Sequence, residues 1–149
     1  MKVKFIIFAC ALAIAAILTA HLASTAYERD DEFESFIRDL DVLTTAIESK
    51  LSEAPTLARV VEAQEILDAM KPALKRKLGE LKALDGARVS GQTLLRFQDN
   101  VALKGSRMSF LLDNPELKRA AREDPALREG IRKLHDDYAS IIRGEQDGP

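Results

Sequence analysis

The fold is decided by residues 57–84, which read LARVVEAQEILDAMKPALKRKLGELKAL. Apolar residues recur in this stretch every three or four positions, which is the period of one face of an α-helix. They are Leu57, Val60, Ala63, Leu67, Met70, Leu74, Leu78, Leu81 and Leu84. The phase is unchanged across Pro72, so the pattern predicts one helix with a kink near residues 68–72 rather than two helices. Thr56 is suited to cap its start.

A second helical pattern precedes this one at residues 28–53. Its apolar residues are Phe33, Phe36, Ile37, Leu40, Leu43, Ile47 and Leu51. The helix start is acidic, whereas the end of the following helix carries the basic cluster 75–77. If the two helices form a hairpin that turns near Ala54, residues 28–34 face residues 74–80. This antiparallel pairing would neutralise both groups of charges.

Three further helices are predicted downstream. A helix over residues 90–113 has an apolar face formed by Leu94, Phe97, Val101, Met108, Leu111 and Leu112. Asn114 and Asp124 each precede a proline, which is the usual order of an N-cap and a first helical residue. They predict a short helix of roughly two turns and a last helix that ends near Arg143. Residues 144–149 are expected to form a disordered tail.

These patterns together predict an all-α fold. No stretch shows the sustained two-residue alternation of a half-buried strand. Four amphipathic helices with short connections favour an antiparallel four-helix-bundle-like domain over residues 27–143. The short extra helix is expected to bridge to the last helix. Gly105 lies on the apolar face of the third helix, where we expect another helix to come close.

Residues 1–26 differ from the rest in composition. They hold two of the 22 Lys and Arg and none of the 24 Asp and Glu, so the remainder carries a net charge of −4 rather than −2. Lysines followed by an apolar run, with small residues at Ser24 and Ala26, predict a signal peptide cleaved after Ala26. The run 5–26 would also span about 33 Å as a helix, so an uncleaved membrane anchor is the alternative.

Both interpretations of this leader place the domain outside the cytoplasm. We therefore expect a periplasmic or extracellular protein, or one anchored in the inner membrane with its domain outside. In the anchored case, residues 5–26 would tether the domain to the membrane.

Several functional classes are disfavoured by composition and motifs. The only cysteine, Cys10, lies in the leader, so a disulfide scaffold or zinc finger is not expected. The sequence has no nucleophile elbow and no glycine-rich phosphate loop, and we expect no enzymatic activity. Net negative charge and the absence of tryptophan disfavour nucleic-acid binding. Neither a metal site nor a cofactor is expected.

Three residues are candidates for a cofactor site. A second hairpin turning near Arg88 would bring Met70 and Met108 to one level, with His135 on the last helix within two turns. A methionine and a histidine can ligate haem in a four-helix bundle, although the chain lacks the motif for covalent attachment. Core packing is the main expectation for both methionines, and a half-exposed position at the bundle edge is the main expectation for His135.

Phe110, Leu111 and Leu112 are the candidate interaction residues. Phe110 lies at the flank of the third helical face and would extend it with surplus apolar surface. The competing expectation is that Phe110 is buried against the bridge helix near Leu117 and Ala121.

The adjacent carboxylates Asp136 and Asp137 on the last helix are interpreted as part of a solvated face.

The function expected from the sequence is that of an exported small helical-bundle protein. It would act as a non-catalytic binding or scaffold module of the cell envelope, with an unidentified protein partner. One alternative is a ligand-carrying bundle that holds non-covalent haem or an apolar molecule. The other is a membrane-tethered sensor or assembly factor.

Overall fold

The computed structural model describes residues 29–84 and 89–144, and these residues contain five helices and no strand. The first helix covers residues 29–53 and is named α1. The others are α2 (Leu57–Ala83), α3 (Gly91–Leu112), α4 (Pro115–Glu123) and α5 (Pro125–Arg143). The predicted all-α class is therefore confirmed for this part of the chain. The predicted leader 1–26 lies outside the described residues, as does most of the predicted tail.

The helix starts follow from local capping. The side chains of Thr56, Ser90, Asn114 and Asp124 each accept a hydrogen bond from a backbone N–H in the first turn of the helix that follows. Such caps satisfy donors that have no partner within the helix. At the other end of α5, Gly144 takes a left-handed conformation with φ of 63°. It thus forms the cap of α5 rather than the first residue of a tail.

α1 and α2 lie side by side and run in opposite directions. Near their connection, the Lys50 ammonium lies 2.9 Å from a carboxylate oxygen of Glu62. Towards the other end, Lys77 forms an ion pair with Asp39. The predicted register placed residues 28–34 beside residues 74–80. Lys77 also donates a hydrogen bond to Ser35, one residue beyond that stretch, so its contacts are shifted along α1 by only one to a few residues. The connection centres on residues 54–56, and the Lys77 ammonium reaches further along α1 on its four-carbon stem.

α3 lies beside α1 and runs in the same direction. Residue numbers rise together along both helices in three contacts: Phe33 with Phe97, Asp41 with Lys104, and Glu48 with Arg107. The two aromatic rings meet edge to face with centroids 5.0 Å apart, an arrangement that the ring quadrupoles favour. The last two contacts are ion pairs across the helix interface.

α5 lies beside α2 and also runs in the same direction as its neighbour. Its contacts with α2 are more extensive than its contacts with α3 and α4. A Cβ added at Gly130 would lie 3.1 Å from Val60 Cγ1, which shows how closely α5 approaches α2. A Cβ at Gly105 would lie 3.3 Å from Ile142 Cδ1, so α3 and α5 are close where the sequence predicted a close approach.

The directions of α1, α2, α3 and α5 alternate as predicted, and their contacts are four-helix-bundle-like. Their neighbours differ from the prediction, however. α2 and α3 do not form an extensive interface, so they lie at opposite corners and the predicted second hairpin is wrong. The physical reason is that the apolar face of α3 packs against aromatic side chains of α1 and against α5.

The core is formed by all five helices. Its fully buried larger side chains include Phe36, Leu40, Leu43, Ile47, Leu67, Leu74, Met108, Leu127, Leu134, Tyr138 and Ile141. Thr44 is the one polar residue in the core of the described part of the chain. Among the helices described here, none combines the length and apolar character that a membrane span requires.

Candidate binding surfaces

The three candidate haem ligands are not brought together. Met108 is buried in the core, Met70 is half-buried on α2, and His135 is exposed on α5. His135 lines a groove that neither methionine lines. Met70 and Met108 lie on α2 and α3, which occupy opposite corners and do not pack extensively against each other. The described residues also contain no cluster of three or more His, Cys, Asp or Glu suited to hold a metal ion.

The three candidate interaction residues have different environments. Phe110 is 83% exposed, Leu111 is half-buried and Leu112 belongs to the core. The expectation that Phe110 packs against the bridge helix is therefore wrong. Leu117 and Ala121 of α4 are buried without it. The reason is helical geometry, since Phe110 points about 200° away from the direction of Leu112.

Phe110 forms part of an exposed apolar face, which we name the α3 stripe and define as Leu95, Leu103 and Phe110. Leu95 is 63% exposed and Leu103 is 62% exposed. The spacings of eight and seven residues place all three side chains within about 80° on the helix circumference. The stripe lies opposite the buried face of α3, so the spacing of the core residues does not reveal it. Of its three members, the sequence predicted only Phe110 as an interaction residue.

A groove lies between α3, α4 and α5 at the end of the bundle where α4 crosses. Its volume is about 650 Å³, and its walls are mainly apolar. We name it the α4 groove and define it by its lining residues: Ser109, Leu112, Asp113, Lys118, Ala121, Arg122, Arg128, Ile131, Arg132 and His135. Such a volume is typical of sites for small molecules.

The charges around the α4 groove are strongly unbalanced. Lys118 lies 3.0 Å from the Asp113 carboxylate, and Arg132 is bonded to carboxylates on its own helix. Arg122 and Arg128 form no ion pair or side-chain hydrogen bond within residues 29–84 and 89–144. The groove therefore combines an apolar floor with two guanidinium groups that form no ion pair within the described residues. The sequence contains a signal for this site. Lys118 and Arg122 are four residues apart, as are Arg128 and Arg132, and residues at this spacing lie on the same face of a helix.

A second groove, of about 480 Å³, runs between α1 and α3. It is lined by Phe33, Glu34, Ile37, Arg38, Asp41, Thr93, Arg96, Phe97, Asn100 and Lys104. Carboxylates and cations alternate along it, and Lys104 is already paired with Asp41. Its charge does not favour a ligand of one sign.

Asp137 departs from the solvated face predicted for it. It accepts hydrogen bonds from Lys71 at 2.8 Å and from Gln64 at 2.7 Å, and the Lys133 ammonium lies 3.3 Å away. Burial raises the pKa of Asp137, but these donors outweigh it and the pKa lies below its usual range. Asp136, one residue earlier, is exposed as predicted. The Asp137 network is thus a polar clamp between α2 and α5.

A second polar contact, between Thr44 of α1 and Tyr138 of α5, lies in the core. Thr44 donates its only hydroxyl proton to the carbonyl of Leu40 at 2.7 Å, so the Tyr138 hydroxyl donates to Thr44 Oγ1 at 2.5 Å. Burial raises the pKa of Tyr138 to about 12, and it therefore stays protonated across the physiological range. The contact is suited to fix the relative position of α1 and α5 rather than to transfer protons.

No known protein family, curated protein or solved structure matches this chain.

Proposed function

We propose that this protein is an exported, non-catalytic binding module of the cell envelope that docks a helical protein partner on the α3 stripe. The observation that carries the proposal is the alignment of Leu95, Leu103 and Phe110 on one exposed helix face. A single exposed apolar residue is ordinary, whereas three large apolar side chains on one face of a surface helix mark a candidate interaction site.

The spacing of the stripe favours a helix as the partner. Apolar side chains separated by seven or eight residues repeat after two helical turns, which suits side-by-side packing of two helices. Phe110 is the expected anchor, because aromatic residues dominate the binding energy of many interfaces. Full burial of its side chain is worth about 2–3 kcal/mol, so its loss should weaken binding roughly 30-fold or more.

Export and the form of the mature protein rest on the composition of residues 1–26. The proposed form is an antiparallel four-helix-bundle-like domain released by cleavage after Ala26. N-terminal sequencing of the protein from its own cell tests this directly. Tyr27 as the first residue supports release. Retention of the leader in a membrane fraction would favour the tethered sensor or assembly factor, and a cytoplasmic protein would overturn the export proposal.

The partner is tested by cross-linking and mass spectrometry with the wild type and two charge variants. Phe110→Asp should abolish capture of a partner, whereas Val61→Asp should not, because Val61 is an exposed apolar residue on α2 outside the stripe. Circular dichroism should show that both variants keep their helix content. Equal capture by both variants would refute the α3 stripe as the docking surface, and self-association detected by sedimentation would identify the partner as a second copy.

A further inference from the structure

The α4 groove offers a site that the partner-docking proposal does not use. We infer that it binds a free single-chain anionic amphiphile, with a carboxylate or phosphate head between Arg122 and Arg128. The acyl chain then lies along the apolar floor formed by Leu112, Ala121 and Ile131.

The charge of the groove identifies the head group. Two of the four cations that line it are already held by carboxylates, whereas Arg122 and Arg128 form no ion pair within the described residues. A guanidinium group matches a carboxylate or phosphate with two parallel N–H donors. An anionic head group placed here pairs with two guanidinium groups that no carboxylate of the described residues holds in an ion pair.

The shape and polarity of the groove identify the rest of the ligand. The floor includes two residues of the core, Leu112 and Ala121, together with the half-buried Ile131. Inorganic phosphate or acetate would leave this floor in contact with water. An acyl chain covers the floor, and each methylene that enters tightens binding by up to about fourfold.

The position of the charges favours a free amphiphile, rather than a membrane surface, as the ligand of the α4 groove. Arg122 and Arg128 come from two different helices and line a concave groove of about 650 Å³. A flat membrane contact instead needs its cations and apolar residues on one convex helix face. The groove thus fits one chain that enters it rather than a layer of lipids that lies across it.

The test is isothermal titration of the protein in the form that its cell produces, in detergent-free buffer or in neutral-lipid nanodiscs if the leader is retained. The probes are octanoate, dodecanoate and dodecyl phosphate below their micelle concentrations, with acetate and inorganic phosphate as head-group controls. We expect both twelve-carbon probes to bind, dodecanoate to bind more tightly than octanoate, and the two head-group controls to show no measurable heat.

The variants test the place of binding. Arg122→Ala combined with Arg128→Ala should weaken dodecanoate roughly tenfold. Arg119→Ala is the matched control, because Arg119 also lacks an ion pair among the described residues and lies on α4, but does not line the groove. Thermal melting should show that all of these variants fold.

Three results would overturn the inference. If Arg119→Ala weakened dodecanoate binding as much as the loss of Arg122 and Arg128, the site would be a general basic surface. If affinity did not depend on chain length, the acyl chain would not lie on the apolar floor. Binding to anionic phosphatidylglycerol vesicles without binding of the free probes would identify a membrane contact instead. None of these results bears on the α3 stripe, because Phe110 lies outside the groove.

Discussion

Replacing Asp137 by asparagine tests the polar clamp between α2 and α5. The carboxylate is about one-fifth exposed and interacts with Lys71 at 2.8 Å, Gln64 at 2.7 Å and Lys133 at 3.3 Å. Breaking a fully buried pair costs about 3–5 kcal/mol, and exposed pairs contribute about 0.2–1 kcal/mol. For this intermediate burial we expect Asp137→Asn to lower the free energy of unfolding by about 2 kcal/mol at pH 7.

The expected loss has a defined dependence on pH. Because the pKa of Asp137 is lowered in the folded state, its contribution is fully present above the unfolded pKa of about 3.9. The contribution is lost as the pH falls through the lower folded pKa. The difference in stability between wild type and Asp137→Asn should therefore be smaller at pH 2.5 than at pH 7.

Urea denaturation followed by circular dichroism measures both effects. At pH 7 the midpoint of Asp137→Asn should fall by about 1 M, with an unchanged slope. Asp136→Asn is the control, since Asp136 is 57% exposed and its ion pair with Arg132 lies on the surface. We expect it to change stability by no more than about 0.5 kcal/mol. The clamp would be refuted if Asp137→Asn left the free energy of unfolding unchanged. It would also be refuted if the difference in stability from wild type were the same at both pH values.

Two further pairs of substitutions probe the helix packing and the buried hydrogen bond of the bundle. Gly79→Ala should stabilise the protein by about 0.5–1 kcal/mol, because nothing lies within 4 Å of the added Cβ, whereas Gly130→Ala should gain less or destabilise, since Val60 Cγ1 lies 3.1 Å away. Thermal melting compares the two, and equal gains would contradict the close approach of α5. Tyr138→Phe should cost about 1 kcal/mol and Thr44→Val about 1–3 kcal/mol, because the latter leaves a buried phenol without its acceptor. The double variant should cost less than the sum in chemical denaturation, and strict additivity would argue against the hydrogen bond.

Helix starts could be predicted because capping is local chemistry. Asn114 and Asp124, each followed by proline, carry the whole signal within a few residues, and the structure places their caps as expected. The continuity of α2 through Pro72 was likewise visible in the unbroken phase of its apolar residues.

The directions of the helices could be predicted, but not which helices are neighbours, because that depends on contacts between residues far apart in sequence. The packing of Phe97 against Phe33 brings α3 beside α1 instead of α2. Dependence on distant contacts also explains why two adjacent carboxylates have different environments. Asp136 and Asp137 look alike in sequence, yet only Asp137 faces the donors of α2.

The α4 groove could be predicted from the sequence only in part. The four-residue spacing of its cations was visible in the sequence, but their convergence required the turn from α4 into α5. That two of these cations form no ion pair within the described residues also depends on where the carboxylates of α3 and α5 lie in the folded chain.

The central position of α5 determines when the core is completed during synthesis. Tyr138 contacts Thr44 across 94 residues, and Asp137 contacts Lys71 across 66. At roughly 5–20 residues per second, α5 follows the end of α2 by several seconds. During that interval α1 and α2 expose the surface that α5 later covers, so the nascent chain has an extended period in which chaperones can bind it.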